Sequence, residues 1–179
     1  MGTIHARAMS SRTALLVMCV ATAVSSNCEA QTNNPVVKVH AFEREVVGGI
    51  PGGPPGVGAQ ARQMRYIIYL ETPPKTDVAV DGVWMKSRFH SADTEIKKAP
   101  VRFESPVKLA DDTKNVAVPP TTNTVTEITV KEPVPDRTPD AHASKLLGEN
   151  AAVVQLSYSG KTVFVPVKRF ERREPLYMR

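Results

Sequence analysis

The chain has 179 residues and a formal charge of +5, with 15 prolines, 10 glycines and only 6% aromatic residues. That length suits one domain with a core of its own, and the two cysteines, Cys19 and Cys28, both sit near the N terminus, which excludes a disulfide framework in the rest of the chain. The basic excess is local, six basic against two acidic side chains in residues 161–179, so the wide basic footprint and stacking aromatics of a nucleic-acid module are missing and no nucleic-acid partner is expected.

The first feature in chain order is the apolar run from Ala14 to Val24, preceded by Arg7 and Arg12. Spanning a bilayer takes about 20 residues, and this run is much shorter. It fits the apolar region of a secretory signal peptide, so residues 1–30 are predicted to be a leader and the protein to be exported to the periplasm, outer membrane or extracellular space. Two processing readings compete. Cys28 and Ala30 supply the small residues of a signal-peptidase site, which gives a mature chain starting at Gln31. Alternatively Cys28 carries lipid and tethers the protein to a membrane, each buried methylene contributing about 0.8 kcal/mol. Ser25 stands where a lipobox places an aliphatic residue, and Asn27 where it places a small one.

From residue 36 onward the pattern is short β-branched and aromatic runs between Gly, Pro, Asn and Asp, without long helical periodicity. "VVKVHAFEREVV" (36–47) reads as a strand. "GGIPGGPPGVG" (48–58) is predicted to be a flexible loop, because its glycines and prolines suit neither a strand interior nor a helix. In "MRYIIYLE" (64–71), Tyr66, Ile68 and Leu70 share one face and Ile67, Tyr69 and Glu71 the other, which predicts a central strand. "VWMKSRF" (83–89) is predicted to be one strand, with Trp84, Lys86 and Arg88 in a row along one side. "VRFESPVKL" from Val101 and "KNVAVP" from Lys114 read as short strands cut by prolines.

"TNTVTEITVK" (122–131) alternates cleanly. "EPVPDRTPDAHA" (132–143) is predicted to break all regular structure, and "SKLLGEN" to hold one helical turn too short to organise anything. The most legible piece is "AVVQLSYSGKTVFVPVKRF". It predicts a hairpin turning at Ser159–Gly160, pairing Tyr158 with Lys161, Leu156 with Val163 and Val154 with Val165. Pro166 lacks an N–H, so its strand belongs at an edge or a bulge.

These elements predict an all-β domain over residues 31–179, an immunoglobulin-like two-sheet sandwich, with a partly open β-barrel as the alternative. The predicted core includes Ile68, Leu70, Ile128, Leu156, Val163 and Val165.

Catalytic machinery is thin. His40, His90 and His142 stand alone, no HExxH or nucleophile elbow occurs, and the glycine-rich loop lacks a following Gly-Lys-Ser/Thr. Asp111, Asp112 and Asn115 offer too few oxygens for calcium. No catalytic residue, metal or cofactor is expected. An enzyme gains ground only where the fold sets His40 or His90 against two carboxylates in a cleft. Two groups are candidate binding residues. Trp84, Lys86 and Arg88 in one exposed row could hold a glycan, with Tyr66 or Tyr69 completing a platform; otherwise Trp84 packs inside the sandwich. The basic C-terminal tail (168–179), with Phe170, Arg172, Arg173, Leu176 and Tyr177, is a candidate partner-docking segment, or else a mobile end.

The "CEAQ" leader end and the all-β remainder resemble small exported or lipid-anchored all-β proteins of Bacteroidota-type bacteria. The resemblance implies an envelope location and an accessory role beside outer-membrane machinery. The expected function is non-catalytic contact with a protein partner in the cell envelope. The alternatives are a carbohydrate-binding module and a hydrolase built on scattered carboxylates.

Overall fold

The computed structural model describes residues 34–48, 62–103 and 115–178. The predicted leader with Cys28, residues 49–58 of the Gly/Pro-rich loop, and Asp111 and Asp112 lie outside the described residues.

The fold is an all-β sandwich, as predicted, made of one large mixed sheet and one small sheet. In chain order its elements are β1 (Lys38–Gly48), β2 (Arg62–Thr72), β3 (Ala79–Met85), β4 (Arg88–Lys97), β5 (Val101–Arg102), β6 (Val116–Val118) and β7 (Thr124–Val134). The helix α1 (Ala141–Glu149), β8 (Ala152–Tyr158), β9 (Lys161–Val167) and β10 (Glu171–Met178) complete it. The large sheet has the order β10-β1-β2-β7-β4-β3-β8-β9, and β5 pairs with β6 in the small one. Neighbours in the large sheet are antiparallel except β1 and β10, which run parallel.

This sheet must curl. Laid flat at about 4.8 Å per strand, the outer strands of eight would stand roughly 34 Å apart. Yet the chain passes from β9 at one edge to β10 at the other through residues 168–170 alone, a reach of at most about 14 Å. The core shows the consequence. Ile68 and Leu70 of β2 and Ile128 of β7 share one buried cluster with Val83 and Met85 of β3, Val154 and Leu156 of β8, and Val163 and Val165 of β9. Two halves of the same sheet therefore face each other across the main core, and all six predicted core residues lie in it. The β8–β9 hairpin has the predicted register, with Tyr158↔Lys161, Leu156↔Val163 and Val154↔Val165, and Pro166 lies on an edge strand.

Two further clusters cover the outside of this curl. The small sheet lays Val101, Ala117 and Val118 on Phe42, Tyr69 and Val125. The helix sets Ala143 against Trp84, Phe89 and Val153, with Leu146, Leu147 and Phe164 at its margin. Asp140 caps the helix by accepting a hydrogen bond from the Ala143 N–H at 2.7 Å, and the Asn150 side chain donates to the Leu146 carbonyl at 2.7 Å. Both satisfy backbone groups that helix ends leave open.

Four expectations are corrected. "VWMKSRF" is not one strand but a hairpin, turning at Lys86 and Ser87 with φ of 50° and 61°, so that Met85 faces Arg88. The turn lacks the Gly, Asn or Asp that usually takes positive φ. The helix is nine residues long and includes Gly148, and it buries a tryptophan rather than standing idle. Residues 132–143 do not break all structure: β7 runs on to Val134 and the helix starts at Ala141. Within the C-terminal tail, Glu171–Met178 is not a free end but an edge strand paired with the backbone of β1.

Candidate functional site

The sheet curls without closing, and a cleft lies where closure fails. β10 pairs with β1 only from Phe42 to Gly48, so among the described residues the first part of β1 has no strand on that side. Among the described residues β9, at the other end of the strand order, pairs only with β8. A cleft of about 720 Å³ lies between them, lined by Val39, His40, Ala41 and Phe42 of β1 and by Pro166, Val167 and the crossing segment Lys168–Glu171. Consecutive side chains of a strand point to opposite faces. A cleft touched by four consecutive residues of β1 therefore meets that strand edge-on, at its peptide groups.

Polar groups at the cleft are arranged by strand register. His40 stands opposite Tyr69, and Glu71 lies on the diagonal two residues further along β2. Cross-strand diagonals are within reach of long side chains, and His40 Nε2 meets Glu71 Oε1 at 2.8 Å. Asn123 Nδ2 donates to the other Glu71 oxygen at 2.9 Å. Burial alone would push the Glu71 carboxyl up. The hydrogen bonds from His40, Asn123 and Thr121 outweigh it and hold the group below its ordinary range. Glu171 meets Arg173 at 3.3 Å. Lys168 and Arg169 are exposed on the cleft and have no ion pair among the described residues.

Sequence reasoning singled out His40 but missed this site. The signal was present in part: once β1 and β2 are aligned, their alternation puts His40 beside Glu71. The enzyme condition is met by half, since His40 has one bonded carboxylate and shares the cleft with a second, Glu171, which pairs with arginine. His90 instead contacts the Lys131 carbonyl, with 2.9 Å between Nδ1 and the oxygen. Among the described residues no group of three or more His, Cys, Asp or Glu side chains is placed to hold a metal.

The predicted site residues are placed as follows. Trp84, Lys86 and Arg88 do not form a row: Trp84 is 4% exposed under the helix, its Nε1 donating to Gln155 Oε1 at 3.0 Å, and the other two belong to the turn and to β4. Tyr66 packs edge-on against Phe170 at 5.1 Å between ring centroids, and Tyr69 is buried with burial and Glu127 keeping its phenol protonated. The glycan platform is therefore not assembled.

Of the C-terminal group, Phe170 lines the cleft and Arg173 stacks over Phe42 and Phe103 at 4.7 and 5.1 Å. Leu176 lines a second cleft of about 510 Å³ on the outer face, with Arg65, Tyr69 and Lys98. Arg172 and Tyr177 are exposed along β10. The group thus splits among different surfaces rather than forming one anchor.

No helix among the described residues is long and apolar enough to cross a membrane. In comparisons with known proteins, the chain matches no family model, no curated protein and no solved structure.

Proposed function

We infer that this is an exported, non-catalytic protein of the cell envelope that works by contact with a protein partner, as an accessory subunit at the outer membrane. The observation that carries the reading is the open seam of the sheet, where two strand edges and two exposed cations line one cleft. Unpaired strand edges are pairing surfaces that proteins normally cover or blunt. Here Pro166 and Pro175 blunt parts of β9 and β10, while β1 from Lys38 to Ala41 carries no proline and lies beside the cleft.

The test is photo-crosslinking in intact envelopes, with the reactive residue at Lys168 on the seam or at Ser159 in the hairpin turn. A specific protein adduct from Lys168 and none from Ser159 is the expected result. Recovery of the protein alone, or equal adducts from both positions, contradicts the reading.

A further inference from the structure

We propose that the seam takes an extended peptide strand, inserted between the first part of β1 and β9 and flanked by acidic residues. This rests on the seam being the protein-contact surface and names what enters it.

Backbone geometry selects an extended occupant. The cleft meets β1 edge-on over Val39–Phe42 and reaches the end of β9 at Pro166 and Val167. Its β1 wall is thus a strand edge, whose N–H and C=O groups lie in the sheet plane and point sideways, and the last two residues of β9 stand on the other side. A strand recovers such bonds through its own backbone, whereas a helix has already used its peptide groups internally. Four residues of extended chain cover about 13 Å, the length of β1 that β10 leaves uncovered. This is strand addition, in which main-chain bonds supply affinity and side-chain pockets supply selectivity.

Charge selects the flanks. Lys168 and Arg169 are exposed at the cleft with no carboxylate partner among the described residues, while the one carboxylate lining the cleft, Glu171, is engaged with Arg173, and Glu71 is engaged with His40 and Asn123. An acidic residue beside the inserted strand meets both cations, and a basic one is repelled. Pro166 removes one donor from the β9 edge, so the β1 side carries the larger share of the pairing.

The probe is a synthetic heptapeptide of alternating valine and threonine with a glutamate at each end and blocked termini. It is compared with a lysine-flanked version and with two versions N-methylated at alternate residues, one in each phase. Hydrogen exchange on the protein without its leader is the readout. The glutamate peptide should slow exchange at residues 38–41 and 161–167. N-methylation in either phase should weaken binding by about tenfold or more, because an inserted strand uses both of its edges. The double change Lys168→Glu with Arg169→Glu, at exposed positions that leave the core intact, should reverse the preference toward the lysine peptide.

Equal affinity for both flanks overturns the acidic preference. Weakening by only one methylation phase overturns insertion in favour of addition to one edge. No slowed exchange at about 1 mM peptide overturns the proposal. If a Lys168 crosslink to a protein persists in that case, the contact reading stands without the strand mode.

Discussion

Gly82 shows how one residue holds two strands in place. The β3–β8 register shifts between Val80 and Gly82, and the glycine lies against the following strand. A Cβ here would overlap the Phe89 ring and come within 2.6 Å of the His90 carbonyl oxygen, a backbone atom that cannot move aside cheaply. Gly82→Ala should therefore cost about 1–3 kcal/mol, the usual range for overpacking, read as a lower urea midpoint with an unchanged slope. Glu71 makes a different prediction. Its folded carboxyl titrates below the ordinary 4.5, so the carboxylate stabilises the fold above that pH, and the contribution is lost as pH falls through the lower folded value. Urea midpoints measured from neutral pH into acid should converge for the native protein and Glu71→Gln. Midpoints that stay parallel through the acid range contradict the bonded carboxylate.

At the scale of elements, the β8–β9 hairpin carries the part of the core most open to test. Leu156 is fully buried among Val83, Val154 and Val163, and Leu156→Ala should cost about 2–5 kcal/mol. A cost under roughly 0.5 kcal/mol would mean that the hairpin faces are inverted. This hairpin was legible in sequence because Ser159–Gly160 is a recognisable turn and the valines on both sides agree on one register. The β3–β4 hairpin was not legible, because Lys86–Ser87 has none of the residues that favour positive φ and apolar residues continue on both sides. Trp84 was read either in an exposed row or packed inside, and it is buried because β3 is covered on both faces, by the main core and by the helix. The helix was underestimated because Gly148 looked like its end, whereas Asn150 closes it. β10 was hidden most deeply. "ERREPLYM" has the composition of a solvated end, and only its parallel pairing with a strand far away in sequence makes it part of the sheet.

For the whole molecule, the decisive fact is that a continuous sheet bends far enough for three residues to link its opposite edges, yet leaves those edges unpaired over part of their length. Sequence patterning carried the class of fold and the main core, because burial imposes alternation within each strand. It did not carry the cleft, because Val39–Phe42 and Pro166–Glu171 meet only through the order of the strands. The account of function depends on that opening. It is tested most directly by assigning cross-strand contacts between backbone protons by NMR on the free protein from residue 31 onward. The prediction is contacts across β1–β2, β8–β9 and β1–β10 from Phe42 onward, none between residues 38–41 and 161–167, and rapid amide exchange along the free side of β1. Cross-strand contacts joining β1 to β9 would show a closed barrel with no seam, and would contradict the account.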